Sequence, residues 1–342
     1  MTITLCMIVK DEERVLARCL ESAKGLVDEI VIVDTGSTDR TVEIARQYTD
    51  AVYFLPWRDD FAYARNFAFS KGTGDYLLWL DADDVIEENA DTGGLKALLE
   101  EQTPDMVLCK YVSGDLIYYR ERFLKREKNF VWQGRVHECI APQGKVARSE
   151  LAVVHLPEKT SHGSRNLDIY RKWAGEEALS GRDLFYYGRE LYYHRLYTEA
   201  VAVLKKMLAG EGWYVNKIEA CRVLSSCHAE QGETEQALDA LFSSFRYGQP
   251  RAGVLCDIGS LFRSQEKYPE AAFWYEAATH CRDHATEGDF DEPAARTLIP
   301  MLELVVCHWN LGERETALFW HKKTEELAPE HPSVQFNRKF FY

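Results

Sequence analysis

The chain is predicted to fold as an α/β domain followed by an all-helical repeat domain. Three observations carry that expectation. In the first half, short continuous apolar runs alternate with segments of helical period, the pattern of a mostly parallel sheet covered on both faces. One of those runs, Tyr76-Leu77-Leu78-Trp79-Leu80, stops abruptly in Asp81-Ala82-Asp83-Asp84. From about Leu167 onward the strand-like runs vanish and the text becomes helical, rich in Ala, Leu, Glu and Tyr.

Taken in order, Thr4 to Val9 is an apolar strand, and Lys10-Asp11-Glu12-Glu13 opens a helix with Val15, Leu16, Cys19 and Leu20 on its inner face. Glu29 to Val33 is a second strand, stopped by Asp34-Thr35-Gly36-Ser37-Thr38-Asp39, a loop of turn formers and helix N-caps ahead of a helix from Thr41 to Tyr48. Ala51 to Leu55 makes a third strand. Phe61, Ala64, Phe67 and Ala68 mark the inner face of the next helix, which Gly72 and Gly74 end. The fourth strand carries the acidic cluster, Met106 to Cys109 is a fifth, and the aromatic stretch Tyr118 to Leu124 reads as strand or loop.

Ligands of open α/β sheets bind beyond the carboxyl ends of the strands, and clustered carboxylates there suit Mg²⁺ or Mn²⁺. The acidic run therefore reads as a metal site that holds a phosphate-bearing substrate; a solvated acidic turn is the plainer alternative. The strand ends at Asp34 and Asp81 are expected to converge on one crevice.

Met7-Ile8-Val9-Lys10-Asp11-Glu12-Glu13, Asp34-Thr35-Gly36-Ser37-Thr38-Asp39 and Asp81-Ala82-Asp83-Asp84, in this order and spacing, resemble family 2 glycosyltransferases of the GT-A fold over roughly residues 1 to 160. The resemblance implies transfer of a sugar from a nucleotide-diphosphate sugar, often UDP-linked, with a divalent cation, Mn²⁺ or Mg²⁺. It places Asp34 on the nucleobase, and Ile8, Val9, Lys10 and Glu12 along the base and ribose pocket. Asp81 and Asp83 match the metal-binding pair, with Asp81 and Ala82 beside the ribose. Asp60, Arg65 and Asn66, just ahead of the acidic strand, are candidates for the diphosphate or ribose, although a surface ion pair explains Arg65 nearly as well.

Trp132-Gln133-Gly134-Arg135-Val136-His137-Glu138 resembles a Trp-x-x-x-Val-His-Glu segment found in a branch of the same family. An inverting transfer needs a group to take the acceptor proton; Glu138 is the first candidate and His137 the second, the alternative being that both only brace a sheet edge. His155, in Val153-Val154-His155-Leu156-Pro157, is the candidate third metal ligand, with a core histidine as the bland alternative. His162 and Arg165 lie on a segment that could close over the diphosphate. The first domain is taken as residues 1–165 and the second as 166–342.

In the second half an alanine recurs at Ala200, Ala237, Ala271 and Ala317, at intervals of 37, 34 and 46 positions. Twelve positions before each stand Gly188, Ser225, Gly259 and Val305, and four after stand Leu204, Leu241, Tyr275 and His321. The pattern resembles tetratricopeptide repeats, in which small residues let paired helices pack closely. The longest interval requires an insertion around Asp283 to Pro293. Tyr186, Tyr187, Tyr192, Tyr193 and Trp213 offer aromatics for a partner or for the core. The combined architecture resembles bacterial enzymes that glycosylate peptides, which implies a peptide or protein acceptor recognised through the repeats. A lipid-linked or cell-envelope saccharide is the competing acceptor, and a non-catalytic nucleotide-binding scaffold the competing role.

At 342 residues the chain has room for two ordinary cores. A formal charge of −14 argues against nucleic acid and anionic membrane surfaces as partners. No apolar run is long enough to span a bilayer, and the N-terminus enters a strand without a signal peptide. Nine cysteines without CxxC spacing read as the reduced thiols of a cytoplasmic protein. Homo-oligomerisation is left open.

Overall fold

The structure, a computed structural model, describes residues 1–114, 116–158, 163–281 and 292–342. It divides into two compact units, Met1–Lys172 and Trp173–Tyr342. The first contains β1 (Ile3–Val9), α1 (Leu16–Ala23), β2 (Glu29–Asp34), α2 (Thr41–Ala45), β3 (Val52–Phe54), α3 (Phe61–Phe69), β4 (Tyr76–Trp79), β5 (Asp84–Ile86), α4 (Thr92–Gln102), β6 (Met106–Ser113), β7 (Leu116–Lys125), β8 (Trp132–Gln133), β9 (Cys139–Ile140) and β10 (Val146–His155). The sequence-based boundary after residue 165 falls at the start of α5 (Arg165–Glu176), a helix that runs across the division.

Eight strands form one sheet in the order β3-β2-β1-β4-β7-β6-β10-β5. Pairing is parallel for β1 with β2, β1 with β4, β2 with β3 and β6 with β10, and antiparallel where β7 and β5 join. The strands are apolar on both sides because both sides are covered. Leu5, Met7 and Val9 pack with Leu16 and Leu20 of α1 and Leu95 and Leu99 of α4 on one face. On the other face Cys6, Val31, Val33 and Trp79 pack with Ala64 and Ala68 of α3. A fully buried side chain of this size contributes about 2 kcal/mol, so alternate residues of β1 anchor two separate layers. The turn into β4 demands glycine at Gly74, where an added Cβ would stand 2.8 Å from the Thr4 backbone nitrogen.

Chain order reverses at β1, which pairs with β2 on one side and β4 on the other. In register, Val9 lies beside Asp34 and Cys6 beside Trp79. The carboxyl ends of β1, β2 and β4 therefore open on one edge, at the switch point where such sheets place their ligands. At the far side of the sheet β10 runs antiparallel to β5, which sets His155 directly across from Asp84.

The second unit is helical: α6 (Gly181–Tyr193), α7 (Tyr197–Ala209), α8 (Tyr214–Glu230), α9 (Thr234–Ser243), α10 (Ala252–Ser264), α11 (Tyr268–Thr279), α12 (Pro293–Arg296), α13 (Leu298–Asn310), α14 (Arg314–Leu327) and α15 (Pro332–Arg338). Four helix hairpins, α6/α7, α8/α9, α10/α11 and α13/α14, carry the four alanines, and all four alanines are fully buried. The spacing works as the sequence implied. A Cβ on Gly188 would meet Leu204 at 2.5 Å, and one on Gly259 would meet Tyr275 at 3.0 Å. Each hairpin turns through a left-handed residue five positions before its alanine: Arg195, Gly232, Glu266 and Gly312. The insertion anticipated from Asp283 to Pro293 lies outside the described residues except for Glu292 and Pro293. Among the described residues, no helix is long and apolar enough to cross a membrane.

Candidate active site

The first two motifs form one floor. Asp34 is buried, and its carboxylate accepts hydrogen bonds from the Gly36 and Ser37 backbone N–H groups at 3.1 Å. The loop after β2 is then zipped to the loop after β1. Thr38 N–H donates to Asp11 at 2.7 Å, Glu12 N–H to the Thr41 hydroxyl at 2.7 Å, and Glu13 N–H to Asp39 at 3.1 Å. The backbone N–H of Thr38 holds the Asp11 carboxyl below the usual range. Ile8, Val9 and Lys10 stand at the top of this floor with Glu12 and Thr35, and line a cleft of about 420 Å³.

The same cleft is lined by Arg65, Asp81, Ala82, Asp83, His137, Glu138 and His155, so most of the residues singled out in the sequence meet in one place. Two do not line it. Asp34 sits beneath, spent on its own loop. Asn66 is locked to β8: its amide donates to the Trp132 carbonyl at 3.0 Å and its carbonyl accepts from Trp132 N–H at 2.9 Å. Asp60 is the N-cap of α3, accepting from Tyr63 N–H at 2.8 Å. Arg165 does line the cleft, with its guanidinium 4.8 Å from the Phe61 ring; His162 lies outside the described residues.

Arg65 is no surface ion pair. It is buried against the rings of Trp79 and Trp132, 4.9 Å from each centroid, where the two rings meet edge to face. Its Nε donates to Glu138 at 2.6 Å and its terminal NH2 to Asp81 at 2.7 Å. Burial alone would raise the Asp81 pKa, but the Arg65 charge and hydrogen bond outweigh it and take the carboxyl down to about 2. The Trp79 ring serves two further guanidinium groups, Arg120 at 4.7 Å and Arg122 at 3.8 Å. Arg120 reaches the cleft, a contribution that nothing in its sequence context signalled.

The three acids of the cluster have separate fates. Asp81 is paired with Arg65. Asp84 is fully buried and paired with the equally buried Arg122 at 3.0 Å. Asp83 has no guanidinium partner among the described residues; its nearest basic group is Nδ1 of His155, at 3.6 Å. Burial pushes the Asp83 carboxyl up, His155 opposes that, and Asp81 and Asp84 add to it. The hydrogen bond to Asp84 raises His155, against burial. Asp83, Asp84 and His155 bring side-chain oxygens and an imidazole nitrogen within 4.8 Å of one another; with Asp84 taken up by Arg122, Asp83 and His155 remain as the oxygen and nitrogen donors that suit a divalent cation such as Mn²⁺. Of the expected trio, Asp83 and His155 stand together, while Asp81 is turned toward Arg65 and Asp84 toward His155.

His137 is exposed at the cleft and adopts a left-handed backbone with φ of 50°, a conformation that costs a non-glycine residue on the order of 1 kcal/mol and that clusters at functional sites.

Residues 4–147 match the sequence profile described as Glycosyl transferase family 2. The chain carries a family 2 glycosyltransferase domain. The SPbeta prophage-derived glycosyltransferase SunS of Bacillus subtilis is 28% identical over 226 residues, covering 60% of this chain and 53% of SunS. The lipopolysaccharide core biosynthesis glycosyltransferase LpsC of Rhizobium meliloti is 29% identical over 164 residues, covering 42% of this chain and 58% of LpsC. A TPR repeat-containing protein of Synechococcus elongatus is 50% identical over 84 residues, covering 25% of this chain and 21% of that protein. The chain thus spans about half the length of the two glycosyltransferases and about a fifth of the repeat protein. Its architecture is a GT-A α/β domain followed by tetratricopeptide-like repeats.

Proposed function

We propose that this protein transfers a sugar, with inversion, from a nucleotide-diphosphate sugar to a peptide or protein acceptor, assisted by Mn²⁺ or Mg²⁺. The observation that carries this reading is the single cleft in which Asp83 and His155 stand beside the Arg65, Asp81 and Glu138 cluster. The base and ribose rest on Ile8, Val9, Lys10, Glu12 and Thr35, above the loop that Asp34 shapes. Asp81 and Ala82 border the ribose. Asp83 and His155 hold the cation, which when bound neutralises charge on the diphosphate as the nucleotide leaves. Arg65 and Arg120 supply positive charge from the side of Trp79.

On the acceptor side, Glu138 takes the proton of the attacking group, and His137 is the second candidate. In the free site Arg65 Nε occupies Oε1 of Glu138, so the reading requires Arg65 to turn toward the diphosphate when donor binds. The helical repeats, a scaffold that presents extended concave surfaces, are the proposed docking site for the acceptor chain, in a cytoplasmic protein.

The test is thermal denaturation of the full chain with a panel of nucleotide sugars, with and without Mn²⁺. A donor at one hundred times its Kd adds about 2.7 kcal/mol of stability. Asp83→Asn should abolish the Mn²⁺-dependent part and spare the fold. Absence of Mn²⁺-dependent stabilisation by any nucleotide sugar would sink the reading. The name borne by LpsC favours a second acceptor class, a saccharide of the cell envelope. Labelled sugar recovered in an organic-soluble or polysaccharide fraction instead of a peptide would decide for it.

A further inference from the structure

Asp84 is the acid of the cluster to which the reading above gives no task. It is fully buried, yet four donors surround it. Oδ2 accepts from Arg122 at 3.0 Å and from the Asp81 backbone N–H at 3.2 Å. Oδ1 accepts from the Tyr111 hydroxyl at 3.2 Å and lies 3.3 Å from Nδ1 of His155. A carboxylate has about four acceptor sites, so this one is full. A cation would have to evict one of those donors to bind it directly. Asp83 differs: its side chain is 30% exposed, and its Oδ1 lies 3.6 Å from the same imidazole nitrogen, beyond hydrogen-bond reach.

The backbone fixes this arrangement before any side chain is considered. His155 and Asp84 are cross-strand partners in the antiparallel β10/β5 pair, so their side chains leave adjacent positions on one face. Leu156 N–H donates to the Asp83 carbonyl at 2.9 Å, and Asp84 N–H to the Asp81 carbonyl at 3.0 Å, which ties the acidic turn to the end of β10. The Tyr111 ring stands 5.9 Å from the His155 ring. Arg122, itself fully buried, completes the lock by donating to the Trp79 carbonyl at 3.0 Å.

We propose that Asp84 is a positioning residue for His155, accepting the proton on Nδ1 so that Nε2 is left to face the cation that Asp83 holds. Arg122 fixes Asp84 in turn. This rests on the metal reading above and adds the group that orients one of its ligands. Such outer partners of a metal-binding histidine set its tautomer and ring direction, and their loss typically weakens metal binding tenfold to a hundredfold.

The experiment uses the full chain labelled with ¹⁵N-histidine, the His155 signals being assigned by their loss in His155→Ala. At alkaline pH and without metal, the nitrogen shifts of wild type should report the tautomer protonated on Nδ1; a ring protonated on Nε2 overturns the proposal at once. Asp84→Asn paired with Arg122→Met keeps the buried charge balanced and offers His155 an amide that can donate. In that double variant the tautomer should switch, and the Kd for Mn²⁺ alone, read by electron paramagnetic resonance, should rise tenfold to a hundredfold. A folded double variant with wild-type tautomer and a Kd within twofold of wild type overturns the proposal. Failure of wild type to bind Mn²⁺ would end the metal reading, and the metal-free tautomer would still decide this one. If the double variant does not fold, the wild-type tautomer is decisive.

Discussion

Nε of Arg65 stands 2.6 Å from Oε1 of Glu138, and both side chains are almost withdrawn from solvent, at 8% and 11% exposure. The same guanidinium holds Asp81, so one side chain ties the end of β4 to the segment between β8 and β9. Removing it strands two carboxylates. Arg65→Met should lower stability by on the order of 3 kcal/mol, the cost of breaking a buried pair from one side, read as a fall in the urea midpoint. Arg65→Lys should recover only part of it, because an ammonium cannot serve two acids in a fixed fork. A midpoint unchanged in Arg65→Met would show that the pair carries no structural weight.

Glu138→Gln separates chemistry from binding. The amide keeps the volume and an acceptor for Arg65 but cannot take a proton. Turnover should drop about 10²- to 10⁴-fold, the usual worth of a general base, while donor-induced thermal stabilisation stays as in wild type. Normal turnover would hand the role to His137.

His321 in α14 makes acid sensitivity predictable. Its side chain is fully buried, stacked 4.8 Å from the Phe341 ring, and neither ring nitrogen has a hydrogen-bond partner among the described residues. Burial lowers its pKa below 6.5, with Glu325 opposing and Arg338 assisting. The unfolded chain therefore binds this proton more readily than the folded one. The histidine's contribution is fully present above pH 6.5 and is lost as pH falls from there through the lowered native value. His321→Phe should flatten that part of the stability profile in urea titrations at graded pH. A profile identical to wild type would place the acid sensitivity elsewhere.

Two glycines should respond in opposite directions. Gly188→Ala pushes a methyl to 2.5 Å from Leu204, and overpacking of this kind costs about 1–3 kcal/mol. Gly175→Ala, with nothing within 4 Å of the new carbon, should gain up to about 1 kcal/mol from helix propensity. Chemical denaturation of the pair checks both signs, and a neutral Gly188→Ala would contradict the close helix contact.

What could be read ahead of the structure followed from period and from residue type. β1, β2, β4 and β6 were legible as continuous apolar runs, and the repeat alanines as a recurrent small residue with a fixed companion. β8 and β9 were not, because two residues set no period, and β5 was not, because it begins inside the acidic run. Within the site, Asp83 was legible as a carboxylate placed on the cleft at a strand end. Asp84 looked identical to it in sequence; what separates them is that Arg122, 38 positions away, enters the core to meet one and not the other. Burial of a charge depends on a partner brought by the fold, and local composition does not encode that. The left-handed turns at Arg195 and Glu266 were hidden for a similar reason: two of the four repeats use glycine there and two do not.

Trp79 has a consequence out of proportion to its place at the end of one strand. Three guanidinium groups crowd its indole, and the ring acts as a shared insulator that keeps like charges at fixed separations while each attends to its own acid. A smaller side chain would take packing from Arg65 and Arg122 alike, so two ion pairs that share no atom would loosen together. A residue with no charge of its own thereby supports both the ion pair that lines the cleft and the one buried in the core.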